Sequence, residues 1–180
     1  MDKYVQRGNT PFSDLLMRCR WGLLSRYLNG HKTLLDYGTG TGAFLKHPFR
    51  PESLSVEGYD INPFSEYHDV RGFLPKNHKP DVMTMYDVLE HLPEPISVIE
   101  HFRPKILAVS VPYAELLKID ELPTWRHFRP GEHLHYFTKR SLKVLMEKTG
   151  YEIEEVSFTE GAKRNPDRPC DIVTVIGRRV

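Results

Sequence analysis

Residues 34–42 read Leu34-Leu35-Asp36-Tyr37-Gly38-Thr39-Gly40-Thr41-Gly42. An apolar run enters an acid, and three glycines follow at alternate positions. This pattern predicts a buried strand over Thr33–Tyr37, a sharp turn, and a short helix from Gly42 to Lys46. Glycine lets the backbone turn tightly and lets a ligand lie against it, because no Cβ intervenes. The free N–H groups at the start of such a helix favour a polar ligand. The stretch therefore predicts a nucleotide-like ligand on an α/β fold.

Working outward, the same apolar-then-acid rhythm recurs. Leu54–Tyr59 closes on Asp60, and Asp81–Met85 is followed by Tyr86 and Asp87. Further strands are expected at Tyr67–Val70, Pro104–Val111, Tyr151–Phe158 and Asp171–Ile176. Helical spacing marks Ser13–Tyr27, with Ser13 as its cap, then Glu94–Phe102, and a helix capped by Thr138 and ended by Gly150. Strands alternating with helices imply a mostly parallel sheet with helices on both faces. The last two strands have no evident helix between them, so they should pair antiparallel like a hairpin. The expected architecture is a Rossmann-like, seven-stranded α/β sheet with a shortened crossover between the second and third strands. Residues 1–30 are expected to be an arm and helix of the same domain, and residues 31–180 a single cofactor-binding domain.

Bulk properties narrow the function. The chain has 180 residues and a formal net charge of +1, from 25 basic and 24 acidic side chains. That balance leaves no electrostatic footprint for nucleic acid. The basic residues Lys163, Arg164, Arg168, Arg178 and Arg179 read as a solvated edge. Two isolated cysteines, Cys19 and Cys170, make neither a disulfide framework nor a zinc pattern. With no signal-like N-terminus and no long apolar segment, a cytoplasmic protein without a membrane partner is expected.

Open α/β sheets bind ligands at the carboxyl ends of their strands. Asp36, Asp60 and Asp87 all fall at such ends. Asp60 follows Gly42 by 18 positions, and its two acceptor oxygens suit a ribose diol. Asp69 could accept from an adenine amino group, with Phe73 over the ring. The glycine loop alone does not choose between cofactors, since Gly38-x-Gly40-x-x-Ala43 also satisfies a loose dinucleotide fingerprint.

The acids beyond the loop decide it. The loop itself, Glu57-Gly-Tyr-Asp-Ile-Asn62, and Asp81-Val-Met-Thr-Met-Tyr-Asp-Val-Leu-Glu-His-Leu92 together resemble the class I S-adenosylmethionine-dependent methyltransferases. Val109-Ser-Val-Pro112 is similar to the end of their fifth strand. Glu132-His-Leu-His-Tyr-Phe-Thr138 and Gly150-Tyr151 resemble the branch that methylates small molecules in ubiquinone and natural-product pathways. The resemblance implies that Asp36, Tyr37, Gly38, Thr39 and Gly40 hold the methionine part of S-adenosylmethionine. It implies that Asp60 holds the ribose, with Ile61 beside it as a further cofactor contact, that Asp69 holds the adenine, and that Tyr86 and Asp87 line the sulfonium end. The implied activity is methyl transfer to an oxygen or nitrogen of a small-molecule acceptor. The alternatives are a nicotinamide-dependent oxidoreductase and a non-catalytic cofactor-binding module.

The segment from Thr124 to Tyr136 is dense in Trp, Arg, His, Phe and Tyr, and it reads as the acceptor wall. His133 and His135 would share a face of an extended segment and are the first candidates for a general base, with His91 behind them. They could be joined by His127 or Glu132 around a metal. The spacing matches no established metal motif, so no metal is expected.

Overall fold

The computed structural model describes residues 10–61, 70–71, 77–115 and 117–180. Its strands are β1 (Thr33–Tyr37), β2 (Ser55–Tyr59), β3 (Val70–Arg71), β4 (Val82–Tyr86), β5 (Ile106–Pro112), β6 (Tyr151–Ser157) and β7 (Ile172–Arg179). They form one sheet in the order β3-β2-β1-β4-β5-β7-β6. Six are full strands, and β3 is a two-residue ladder at the edge. The first five run parallel, while β7 pairs antiparallel with both β5 and β6. The chain reaches β3 from the end of β2 through residues 60–69, less than a usual parallel crossover. Asp69 and Phe73 lie outside the described residues.

The helices are α1 (Pro11–Leu24), α2 (Ala43–Lys46), α3 (Pro95–Phe102), α4 (Lys139–Lys148) and α5 (Thr159–Arg164). The sheet has a separate core on each face, because successive strand residues point to opposite sides. Leu34, Val82, Ile106 and Ala108 pack with Leu16, Met17, Trp21 and Leu24 of α1 and with Phe44 and Leu45 of α2. Leu35, Met83, Leu107 and Val109 pack instead with Ile99 and Phe102 of α3 and with Leu142, Leu145 and Met146 of α4. The mainly apolar runs of β4 and β5, interrupted by Thr84 and Ser110, are buried along their whole length for this reason.

Two expectations are corrected. α1 starts before Ser13: Thr10 is its cap and accepts the Ser13 N–H at 3.1 Å. Pro11 takes the first helical position, where a missing N–H costs nothing. The stretch between β6 and β7 does contain a helix, α5, in six residues that include Gly161. A Cβ at Gly161 would come within 2.3 Å of the Pro169 carbonyl, so α5 lies hard against the backbone leading into β7. The Thr138 cap of α4 is as expected, exchanging hydrogen bonds with Ser141 in both directions.

Candidate active site

The site lies at the carboxyl ends of β1, β2, β4 and β5. The glycine loop leaves β1 with Gly38, Gly40 and Gly42 all at positive φ. Gly38 is needed twice over. Its φ is 78°, and a Cβ there would stand 2.3 Å from a Val88 methyl group. The loop is therefore pressed against the turn that follows β4.

The N–H groups at the start of the loop are committed inside the protein. Gly38 and Thr39 donate to the Tyr59 carbonyl at 2.7 and 3.0 Å. Gly40 donates to Asp60 Oδ2 at 2.8 Å. Asp60 thus joins the end of β2 to the loop. Beside it Ile61 is 80% exposed, an apolar side chain left open at the sheet's ligand edge. Asp36 is buried beneath the loop and accepts the Thr84 hydroxyl at 2.6 Å. Burial pushes its carboxyl above the usual range, and the Thr84 bond opposes that rise.

Two expected cofactor residues have rings that pack with the two hydrophobic cores, Tyr37 partly buried and Tyr86 buried. Tyr37 packs on Tyr59 and Phe102 under α3. Tyr86 is buried against Phe44, with the Arg20 guanidinium 4.3 Å over its ring.

Asp87 adopts φ 59°, and its N–H is held by the Ser110 carbonyl at 2.8 Å. Its carboxylate is taken by Arg20 at 2.9 Å and by Arg164 at 3.0 and 2.5 Å. Both arginines also bind Glu160, which accepts the Ser110 hydroxyl as well. The result is a compact cluster of two cations and two anions from α1, α5 and the β4 turn. Burial alone would raise the Asp87 carboxyl, but Arg164 and Arg20 hold it at about 2. Arg164 is therefore part of this buried cluster and not of a solvated edge. Sequence reasoning missed Arg20 and Glu160, which stand 140 positions apart.

Three residues past Asp87 the environment changes. Glu90 sits in the 3-10 turn Leu89–His91 and is 1% exposed, and its Oε2 has no hydrogen-bond partner. Burial first, and then the Asp87 charge, raise its carboxyl to about 8. The Glu90 carbonyl accepts from the N–H groups of Leu134 and His135 at 2.7 and 3.3 Å, which docks the aromatic segment onto this turn. His133 is buried, with its ring 4.7 Å from that of His91 and 6.5 Å from those of His127 and Tyr136. Trp125 packs against His127 and Tyr136 in turn. Burial drives His127 down to about 4 and lowers His133 as well.

The expected pairing of His133 with His135 does not form. The segment is not a strand, and His135 turns to Leu92, with its Nε2 2.8 Å from that carbonyl. His133 goes instead to Glu90 and His91, and ligand atoms of these three lie within 4.8 Å of one another. Among the described residues, buried polar atoms without partners gather in this wall: Glu90 Oε2, Trp125 Nε1, His127 Nε2, His133 Nδ1 and Tyr136 Oη. Buried polar groups in native proteins are normally satisfied, so such a concentration points to a polar ligand.

The family described as methyltransferase domain matches residues 4–156. The chain belongs to that family. Its fold and motifs are those of the class I, S-adenosylmethionine-dependent enzymes, as the sequence resemblance implies. A magnesium protoporphyrin IX methyltransferase from Synechocystis PCC 6803, with bound S-adenosylhomocysteine, superposes with a TM-score of 0.64 at 17% identity. That match covers 100% of this chain and 89% of the other. An S-adenosylmethionine-dependent methyltransferase from Archaeoglobus fulgidus gives 0.63 at 17% identity, over 91% and 94% of the two chains. The small RNA methyltransferase HEN1 gives 0.61 at 24% identity, over 90% of this chain but only 25% of HEN1. No curated protein matches the sequence.

Proposed function

We propose that the protein transfers the methyl group of S-adenosylmethionine to an oxygen or nitrogen of a small-molecule acceptor. The observation that carries this is the division of labour along the sheet edge. The glycine loop spends the Gly38, Thr39 and Gly40 N–H groups on Tyr59 and Asp60, so along that stretch it offers backbone surface and not an anion cradle. That suits a cofactor without phosphates. A dinucleotide would ask the same N–H groups to meet its pyrophosphate.

In this reading Asp36 and residues 37–40 line the methionine part, Asp60 takes the ribose hydroxyls, and Ile61 covers the adenine side. The backbone of residues 86–88 borders the sulfonium. The protein's main task is then to present the acceptor in line with the methyl–sulfur bond, and good orientation alone is worth roughly 7–11 kcal/mol of barrier. The polar wall of Glu90, His91, His133 and Tyr136 faces the acceptor's heteroatom. Aromatic rings at Trp125, Phe128 and Tyr136 suit a planar molecule, and the near-neutral charge of the chain favours a small acceptor over a polynucleotide. HEN1 acts on small RNA, so RNA is the competing acceptor class.

Calorimetry with S-adenosylhomocysteine tests the cofactor half. Asp60→Ala should weaken binding at least tenfold, about 1.4 kcal/mol, and an unchanged affinity refutes the ribose assignment. Methyl-labelled cofactor, offered with separate pools of small metabolites and RNA, tests the acceptor half. Label should enter the small-molecule pool; entry into RNA alone overturns it.

A further inference from the structure

We infer that Glu90, His91 and His133 form a binding site for one divalent transition-metal cation, placed beside the acceptor. The inference deepens the reading above and rests on it for the cation's role, though not for its binding. Four observations carry it.

The first is the donor set. One carboxylate and two imidazoles suit a zinc-, cobalt-, iron- or manganese-type ion and leave coordination positions open for water or a ligand. Their ligand atoms lie within 4.8 Å of one another. Two donors about 2.1 Å from a shared cation stand about 3.0–3.4 Å apart at right-angle or tetrahedral geometry. Closing on a cation therefore asks for side-chain movements of about an ångström, within reach of rotamer adjustment at the exposed His91.

The second is the state of the donors. Glu90 Oε2 and His133 Nδ1 are buried atoms with no hydrogen-bond partner. A carboxylate oxygen that meets nothing in a site 1% exposed is costly to keep, unless a cation or ligand meets it there.

The third is orientation. His91 Nδ1 lies 2.8 Å from the Glu132 carbonyl. A carbonyl accepts only, so Nδ1 must carry the proton and Nε2 is left with its lone pair. Metal-bound histidines are commonly fixed in this way by a backbone carbonyl on the other nitrogen.

The fourth is assembly. The three donors come from two separated segments, and the Glu90 carbonyl ties them by accepting from Leu134 and His135. The backbone of one ligand residue thus clamps the loop that carries another. His135, which the same segment presents, is held on Leu92 and lies outside the set.

A cation here would bind the acceptor's oxygen in an open position and lower its pKa, so that the proton leaves to solvent. The oxygen's electron pair then forms the new bond to the methyl carbon. The methyl–sulfur bond breaks with its pair going to sulfur, and the sulfonium becomes a neutral thioether. No oxidant or reductant is involved.

The test is calorimetric and spectroscopic, on the whole chain freed of metal with a chelator and titrated with Co2+ alone. The expected result is one equivalent bound, with visible d–d bands of a nitrogen- and oxygen-ligated ion. His91→Ala, at an exposed position, and the near-isosteric Glu90→Gln should each weaken binding at least tenfold, while His135→Ala should retain it. Absence of stoichiometric binding, or equal affinity in all three variants, overturns the site. S-adenosylhomocysteine affinity of the metal-free protein is measured alongside. Cofactor binding without Co2+ binding sinks this inference and spares the methyltransferase reading, whereas Co2+ binding without cofactor binding does the reverse.

Discussion

Asp87 and Glu90 stand three residues apart on the same turn after β4, and the regions around them are built on opposite principles. Around Asp87 the described charges are matched: Arg20 and Arg164 bridge it to Glu160, Ser110 adds a further bond, and Arg164 Nε is the one buried polar atom of the cluster left without a partner. Its carboxyl is held down at about 2. Around Glu90 the polar groups are buried and unmet, and its carboxyl is pushed up to about 8. The first region closes α1 and α5 over the sheet. The second keeps polar atoms in waiting. A satisfied buried cluster is a structural device, and an unsatisfied one is a place where function has been given precedence over stability.

The largest effect should come from breaking the satisfied cluster. Glu160 is 3% exposed and serves both arginines. Glu160→Gln leaves Arg20 and Arg164 sharing one carboxylate, and removing one partner of a buried pair costs about 3–5 kcal/mol. Denaturant unfolding at pH 7 measures it. The loss should depend on pH in a fixed direction. The folded-state carboxyls of Asp87 and Glu160 are depressed, so their contribution is fully present above the ordinary carboxylate range. It disappears as pH falls from about 4 towards the folded value of about 2 for Asp87. The gap between wild type and Glu160→Gln should therefore narrow on acidification. A gap that widens would mean that the cluster does not hold its charges as described.

The same conservative change three residues past Asp87 should act in the opposite sense. Glu90→Gln removes a buried carboxyl oxygen that has no partner and replaces it with a neutral amide. In the metal-free protein at pH 7 its stability should equal or exceed that of wild type, by up to about 1–3 kcal/mol. Urea unfolding of both proteins after chelation decides it. A loss of several kcal/mol would show that Glu90 is an integral part of the core.

The contrast also explains what could be read from the chain and what could not. β1, the glycine loop and Asp60 are local in sequence: a strand, a turn and an acid at a fixed offset. The Thr138 cap is local too. Arg20, Glu160 and Arg164 were not legible, because their meeting joins α1 to α5 across most of the chain, and α5 is a short helix without apolar periodicity. Glu90 was in plain view within Leu89-Glu90-His91, and its burial beside the Asp87 charge was the missing signal. His133 was singled out but assigned the wrong neighbour. Its pairing with His135 supposes an extended strand, and residues 128–136 form none.

The smallest expected effect concerns that misassigned neighbour. His135 is half-buried and bonded through Nε2 to the Leu92 carbonyl at 2.8 Å, so it pins the aromatic segment to the end of the Leu89–His91 turn. It adds no ligand atom to the unmet group. His135→Ala should cost one hydrogen bond, about 0.5–1.5 kcal/mol of stability. His135→Asn can keep a side-chain donor near the same carbonyl and should recover part of that loss. Thermal unfolding of the two variants against wild type measures the difference. The segment would then be held by the Leu134 and His135 backbone bonds to Glu90 even without the imidazole. If His135→Ala instead cost as much as Glu160→Gln, the segment would depend on His135 for its fold, and the division between the pinned and unmet histidines would fail.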